Sequence, residues 1–356
     1  MQSQTNMVAR KACITTVYNS ENCGSYWQAR ALQEYLREKG YQVFFLRRNM
    51  SGSSHTIKGL LRSTLTALYH RNIHYAVRRW KQYHVFSVAA KVFPVTTSCD
   101  ESFDLCVLGS DTIWNISDRY FLNERKMYWG DCAYSRKKIS YAASLGNTSL
   151  GMVQQYPDLL DLLKKLDAIS VRDHYTLNVL KSLQYGEVSL VCDPTLLYDK
   201  SFYYDYVEAP IDQKYVFVYY FQKMPEALET SVILYAKEHE LQIIVMGECM
   251  KTCTVRDFFS PMLFLNRFAY ADLVVTNTFH GTVFSTIFEK QAVFNSNGKQ
   301  KVKDILDRFG LADHDYAVCG DFERILQNKI HYDKVKEKVN QFRRESRQFL
   351  NIVIEE

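Results

Sequence analysis

The sequence predicts an α/β protein of two domains that face each other across a cleft, and three observations support this. The chain has 356 residues, which exceeds the usual size of one domain. Short apolar runs alternate with segments of helical periodicity, as in parallel sheets covered by helices on both faces. A second alternating series begins near Lys214, after the polar stretch Tyr198–Gln213. We therefore predict an N-terminal domain over 1–205 and a C-terminal domain over 206–356.

The first series contains six apolar runs of strand length. They are Ala12–Val17, Val43–Leu46, Leu105–Leu108, Ile139–Ala143, Ala168–Val171 and Val188–Val191. Three segments repeat their apolar residues at helical spacing, namely Ser25–Lys39, Leu159–Leu166 and Thr176–Leu183. Gly40 follows the first of these helices and is expected to end it.

The second series has the same character. Its predicted strands are Tyr215–Phe221, Ile243–Met246, Leu273–Thr276 and Ala292–Phe294. Its predicted helices are Pro225–His239, Thr282–Phe288 and Val302–Phe309. The last segment, Tyr332–Ile354, reads as one long amphipathic helix at the end of the C-terminal domain.

Composition excludes several classes of protein. Hydrophobic residues make up 47% of the chain, but no run approaches the roughly 18 apolar residues of a transmembrane helix. The first residues lack the apolar core of a signal peptide. Nine cysteines are scattered without a paired metal-binding pattern, so we expect no metal, no cofactor and a cytoplasmic location.

Positive charge is concentrated in one interval. Between Lys39 and Ser98 there are ten Lys or Arg residues and no Asp or Glu. The part His55–Lys91 also carries apolar residues at roughly helical spacing, which predicts a basic helical insertion at about residues 55–95. Such a segment could lie on an anionic membrane surface, line a groove for a phosphorylated acceptor or bind nucleic acid. It could also be a solvated helical insertion.

His280 is the leading candidate for catalysis. It follows the predicted strand Leu273–Thr276 and precedes a predicted helix, so it lies at the sheet edge where ligands of α/β proteins bind. The helix N-terminus favours an anion, and a nearby imidazole can act as an acid or base near neutral pH. The alternative is a histidine that only caps the helix.

Two other strand ends carry polar residues. The first strand is followed by a turn containing Asn19, Asn22 and Gly24, whose backbone can approach a ligand. Ser110 and Asp111 follow the strand Leu105–Leu108. Asp111 could orient a sugar hydroxyl, act as a base or cap the next helix.

Two further strand ends carry charged side chains. Arg172 follows Ala168–Val171 and can bind a carboxylate or phosphate through two parallel hydrogen bonds. Asp173 is predicted to cap the next helix. Asp193 is predicted to be a turn or cap residue, because Pro194 ends the preceding strand.

Several of these motifs, in this order, resemble the polysaccharide pyruvyl transferase family, and the similarity covers nearly all of the chain. The matching segments are Asn22–Gly24, Gln28–Gln33, Gly109–Asn115, Ser140–Gly146, Ile169–Asp173, Asp193–Thr195 and Asp272–Phe288. The last of these, which contains Phe279-His280-Gly281, is the most specific.

The resemblance implies a fold like the two-domain GT-B glycosyltransferases. It also implies transfer of a pyruvyl group from phosphoenolpyruvate to a sugar of a surface or exopolysaccharide, as a ketal, without metal or cofactor. His280 and Asp111 would be catalytic. The donor would contact Arg172, Thr278, Gly281 and Thr282, with the C-terminal domain as the donor side and the N-terminal domain as the acceptor side. The acceptor, which could be lipid-linked at the inner face of the membrane, would contact Asn19, Asn22, Gly24 and Ser110.

One position departs from the family pattern. Some branches carry a basic residue two positions before the histidine, where this chain has Thr278. Two other functions therefore stay open. The chain could be a GT-B glycosyltransferase that uses a nucleotide sugar, or a non-catalytic protein that binds or assembles glycans.

Overall fold

The structure is a computed structural model that describes residues 9–47, 57–97, 102–209 and 213–355. The start of the predicted basic insertion, at residues 55 and 56, and part of the predicted interdomain stretch lie outside the described residues. The described chain contains two five-stranded parallel sheets, whose strands are flanked by helices.

The first sheet has the order β3-β2-β1-β4-β5, and all its pairings are parallel. Its strands are β1 (Arg10–Thr15), β2 (Tyr41–Leu46), β3 (Val95–Thr96), β4 (Phe103–Leu108) and β5 (Ser135–Ser140). A parallel pair, β6 (Ile169–Val171) and β7 (Val188–Leu190), adjoins the end of β5 through single bridges. The described residues of this half form eight α-helices, namely α1 (Cys23–Glu38), α2 (Ile57–Tyr69), α3 (Ile73–Ala89), α4 (Arg125–Trp129), α5 (Leu150–Gln154), α6 (Pro157–Leu163), α7 (His174–Ser182) and α8 (Lys200–Tyr204).

The second sheet repeats the same order as β10-β9-β8-β11-β12, again parallel throughout. Its strands are β8 (Tyr215–Tyr219), β9 (Gln242–Met246), β10 (Val255–Asp257), β11 (Leu273–Thr276) and β12 (Ala292–Phe294). The helices here are α9 (Glu226–Glu238), α10 (Pro261–Tyr270), α11 (Phe279–Ile287), α12 (Gln300–Phe309), α13 (Tyr316–Cys319), α14 (Phe322–Gln327) and α15 (Tyr332–Glu355). Both sheets thus have Rossmann-like strand order, as predicted.

The two halves share one continuous hydrophobic cluster. It joins residues of α1 and the first sheet to residues of α10, α11 and the second sheet. Trp27 is fully buried in α1 and donates its indole N–H to the carbonyl oxygen of Pro261 in α10 at 2.9 Å. The helices between the sheets therefore fix how the two strand edges meet.

The long terminal helix α15 is confirmed as a single helix, and it also contacts the first half of the chain. The Ser346 hydroxyl accepts from the backbone N–H of Cys192 at 2.8 Å, and the Tyr35 hydroxyl donates to Asn351 Oδ1 at 2.9 Å. The predicted division after residue 205 assigned this helix to the C-terminal domain alone. That division stays a prediction.

Most strand and helix predictions match, with ends shifted by a few residues. The prediction for α11 was wrong at its start, because the helix begins at Phe279 rather than Thr282 and places His280 inside its first turn. The basic insertion forms two helices, α2 and α3, with Asn72 capping the second. None of the helices in the described part of the chain has the length and apolar character needed to cross a bilayer.

Candidate active site

Residues from both sheets meet where their strands end. Asp111 follows β4, Arg172 follows β6, Asp193 comes after β7, and His280 lies in the first turn of α11 after β11. These four side chains form one connected cluster of charged and ionisable groups. The structure therefore brings together His280, Asp111 and Arg172, as the sequence predicted, and adds Asp193 to them.

Arg172 is the centre of the cluster. Its side chain is 1% exposed, and its guanidinium contacts Asp193 Oδ2 at 3.0 Å and Asp111 Oδ1 at 3.3 Å. The opposite face of the guanidinium lies 4.6 Å from the centre of the Phe279 ring. Two of its three nitrogen atoms bind carboxylates, and its Nε has no hydrogen-bond partner among the described residues, so a donor could contact Nε or a remaining N–H of the terminal nitrogens. Its predicted donor-binding role stays a prediction.

Nearby positive charges and hydrogen bonds keep the carboxyl groups of Asp193 and Asp111 ionised. Burial alone would raise the pKa of Asp193, but the His280 ring, the Arg172 guanidinium and the Thr195 hydroxyl outweigh burial and bring this pKa well below its ordinary value. Burial also opposes ionisation of Asp111, and there Arg172, His280 and a hydrogen bond from Ser25 lower the pKa. The cluster is thus a buried network of opposite charges.

His280 lies between the two halves. Its Nε2 is 3.7 Å from Asp193 Oδ2, which is too long for a hydrogen bond but close enough for an ion pair when the ring is protonated. This nitrogen is buried and has no hydrogen-bond partner among the described residues, and neither does Arg172 Nε. Buried polar atoms are normally satisfied, so two such atoms side by side indicate a place where a ligand binds.

Asp111 has an unusual backbone. Its φ is 86°, a region that side-chain-bearing residues rarely adopt and that often marks functional sites. Its carboxylate accepts from the Ser25 hydroxyl at 2.7 Å and from the backbone N–H of Thr112 at 2.8 Å. The alternative that Asp111 caps the next helix was wrong, because α4 begins only after Glu124.

The predicted acceptor residues divide into two groups. Gly24 packs directly under the His280 ring, and Ser110 donates to Asp193 Oδ2 at 2.9 Å, so both lie in the cluster. Asn22 is instead the N-cap of α1, with its side-chain oxygen accepting from Gly24 and Ser25. Asn19 lies earlier in the turn, where its side-chain oxygen accepts a long hydrogen bond of 3.5 Å from the Tyr120 hydroxyl.

The predicted donor residues of α11 are committed to the helix itself. Thr278 is the N-cap, and its hydroxyl accepts the N–H of Gly281 at 2.8 Å. Thr282 donates its N–H and its hydroxyl to the Thr278 carbonyl, at 3.0 Å each. The backbone N–H groups of Phe279 and His280 have no acceptor in the described part of the chain, so an anion could bind there.

Sequence reasoning missed three residues of the site. Asp193 was predicted to be a turn or cap residue, and it does cap the 3₁₀ turn Pro194–Leu197, but it also pairs with Arg172. Ser25 was assigned only to a helix. Lys301 in α12 lines a small cavity with Arg172 and Phe279, and burial and the Arg172 cation lower its pKa. Its position one residue into α12 gave no signal in the sequence.

A second, larger pocket has a volume of about 430 Å³. It is bounded by the carboxyl ends of β8, β9 and β10 on one side and by α3 on the other. Its lining includes Arg78, Tyr220, Phe221, Lys223 and Phe259. The volume and the mixture of aromatic and cationic side chains suit a small polar ligand such as a sugar or a nucleotide.

A methyl group at Gly24 should lower activity by displacing the His280 ring. Gly24 is the second residue of α1 and has no positive φ, but a Cβ there would overlap the His280 ring. We expect Gly24→Ala to displace the imidazole and to lower turnover about 100-fold, as a displacement near 1 Å can do. Steady-state kinetics and thermal melting of the variant would measure its turnover and its stability.

The matched control for this substitution is Gly151→Ala. A Cβ at Gly151, in the short helix α5, meets no atom within 4 Å. This control should keep full activity. Normal turnover in Gly24→Ala would show that the imidazole position seen here is not the one used in catalysis.

Among the described residues, no three His, Cys, Asp or Glu side chains form a group that could hold a metal ion.

Comparisons with known proteins agree with this fold. Two solved structures of an α-glucosyltransferase are similar over nearly the whole chain. One, in complex with UDP and a 13-mer DNA containing an HMU base, has a TM-score of 0.51 at 10% identity, covering 98% of this chain and 100% of that chain. The other, in complex with UDP-glucose and DNA containing an abasic site, has a TM-score of 0.50 at 11% identity, covering 96% and 99%. Identity this low shows the fold alone, which is the predicted GT-B-like fold.

No curated protein sequence matches the chain. The family model described as polysaccharide pyruvyl transferase matches residues 22–298, a span that contains Gly24, Asp111, Arg172, Asp193 and His280. The chain therefore belongs to the polysaccharide pyruvyl transferase family.

Proposed function

We propose that this protein transfers the pyruvyl group of phosphoenolpyruvate to a sugar of a bacterial-type surface polysaccharide or exopolysaccharide, as a ketal, in the cytoplasm. The observation that carries the proposal is the His280 ring. Its buried, unpartnered Nε2 faces the Asp193 carboxylate at 3.7 Å, where the two sheets meet within the family match.

The reaction needs an acid that protonates the methylene carbon of the donor and a base that accepts protons from the sugar hydroxyls. Protonation of the methylene carbon by His280 would make C2 of the donor electrophilic, and a sugar hydroxyl would then add to C2 and lose its proton. Departure of inorganic phosphate and addition of a second hydroxyl, with loss of its proton, complete the ketal. The C2–O bond to phosphate breaks, and the two protons released by the sugar hydroxyls balance the one taken up at carbon and the one taken up by the departing phosphate. Asp111, held by Arg172 and Ser25 in the same cluster as His280, would be the base.

Donor binding follows from the local positive charge. Phosphoenolpyruvate carries a carboxylate and a phosphate, so its site needs cations and free N–H groups. Lys301 and Arg172 supply cations, and the first turn of α11 supplies the N–H groups of Phe279 and His280. Lys301 thus stands in for the basic residue that is replaced by Thr278. The helix dipole adds to the same attraction.

A second candidate function comes from the pocket of about 430 Å³. It lies at the carboxyl edge of the second sheet, where Phe221 and Phe259 could stack on a base and Arg78 and Lys223 could contact phosphates. A glycosyltransferase that uses a nucleotide sugar would bind its donor in such a pocket.

Calorimetric titration distinguishes the two. Phosphoenolpyruvate should give saturable heat with the wild-type protein, and affinity should fall about 10- to 100-fold in Lys301→Met, which removes one charge-assisted contact. Lys303→Met, which changes an exposed lysine of the same helix, should bind normally. Heat from UDP or a nucleotide sugar, with none from phosphoenolpyruvate even when a glycan is present, would favour the second function. Heat from a glycan alone would indicate a non-catalytic binding protein.

A further inference from the structure

The helices α2 and α3 expose an apolar surface, which we call the hairpin face. Its members recur every three or four residues, so each helix presents one apolar stripe to solvent. The exposed apolar residues of the hairpin face are Ile57, Leu61, Leu65 and Tyr69 in α2 and Ile73, Val77, Trp80 and Val88 in α3. Leu65 is 68% exposed and Ile73 is 62% exposed, which is far more than such side chains usually show.

The charges on this hairpin are separated by face. Arg78 and Arg79 point toward the rest of the protein, where they pair with Glu248 and Glu21. These two pairs attach α3 to both halves of the molecule. Arg62, Lys81 and Lys91 are exposed near the hairpin face and have no acidic partner in the described part of the chain. Residues 57–97 contain seven Lys or Arg and no Asp or Glu.

We infer that the hairpin face docks on the surface of an anionic lipid bilayer. An apolar stripe bordered by cations is the arrangement that inserts shallowly among acyl chains while its cations contact lipid phosphates. A second copy of this chain fits less well, because two faces of the same positive charge would repel each other. Nucleic acid would use the cations but leave the apolar stripes in water.

Docking in this way would also orient the pocket. The inner face of α3 supplies Tyr75, Arg78, Arg79 and Gln82 to the wall of the 430 Å³ pocket. A bilayer against the outer face of α3 would therefore lie one helix diameter from the pocket, within reach of a sugar carried on a membrane lipid. This inference goes beyond the proposed reaction and does not depend on it.

Vesicle flotation tests the inference. The full chain should float with vesicles of phosphatidylglycerol and phosphatidylcholine in equal amounts, and not with phosphatidylcholine alone, and high salt should weaken binding. Changing Arg62, Lys81 and Lys91 to Gln should weaken binding roughly fivefold for each cation removed. The matched control changes three exposed lysines elsewhere, Lys303, Lys329 and Lys334, to Gln.

Apolar variants complete the test. Leu61→Gln with Leu65→Gln should reduce flotation at least tenfold, because each buried leucine contributes strongly to membrane partitioning. Leu234→Gln with Val318→Gln, which changes two side chains that are 60% and 69% exposed elsewhere, should float normally. Equal loss in hairpin and control variants, or no flotation of the folded wild-type protein at low salt, would overturn the inference.

Discussion

Replacing His280 with alanine should lower the turnover of pyruvyl transfer by about 10²- to 10⁴-fold, the range expected for loss of an acid or base group. The ring is nearly buried, lies over Gly24 and faces Asp193, so no other side chain of α11 can take its place. Release of inorganic phosphate from phosphoenolpyruvate, measured with a glycan acceptor present, reports the turnover.

The control for this variant is His239→Ala. His239 is exposed at the end of α9, where its ring contacts Tyr235 rather than any residue of the cluster. It should retain normal turnover. If His280→Ala is folded and turns over within a few-fold of wild type, the acid is a different group and the mechanism proposed here fails.

Replacing Arg172 with methionine should lower the free energy of unfolding by about 3–5 kcal/mol, the usual cost of removing one partner from a buried ion pair. Methionine has similar length, but it leaves the Asp193 carboxylate buried without its main cationic partner. Urea unfolding followed by circular dichroism measures this loss. Arg172→Lys keeps the positive charge and should lose less stability, although lysine lacks the planar fork and should raise the KM for the donor.

The pH dependence of the same variant provides a second test. The folded pKa of Asp193 lies below its ordinary value of 3.8, so this group contributes stability above that pH, and the contribution is lost as pH falls through the lowered pKa. Without Arg172 the pKa of Asp193 is lowered less, so Asp193 contributes less stability. The stability of Arg172→Met should therefore decline less steeply than that of wild type as the pH falls below about 4. Parallel curves for the two proteins would show that Asp193 does not depend on Arg172.

Much of the fold was predictable because its strands are buried on both faces. Continuous apolar runs such as Leu273–Thr276 have few alternatives, and this strand was predicted with its observed bounds. The first sheet has two exceptions. No strand was predicted at β3, and β5 begins with Ser135, Arg136, Lys137 and Lys138 and so lacks an apolar run until Ile139. There the pairing with β4 decides the structure. Local sequence does not encode such pairing.

The site was predictable only in part. His280, Asp111 and Arg172 were found because each follows a strand, where side chains of parallel sheets converge. The pairing of Asp193 with Arg172 was missed because the following Pro194 already indicated that Asp193 is a turn or cap residue. Lys301 was missed because its contact with the cluster depends on how α12 packs against the first half of the chain. Local patterns identify strand ends, but they do not show which strand ends face each other.

The cluster is divided between the two halves of the chain, and this division affects the order of substrate entry and proton transfer. His280 belongs to the second sheet, and Asp193 and Asp111 to the first half, so a rotation of one half against the other changes the distance of 3.7 Å between His280 and Asp193. The same rotation changes the width of the cleft through which substrates enter. Substrate entry and proton transfer would then occupy alternate stages of each turnover, because a rotation that widens the cleft would also separate the imidazole from the carboxylate.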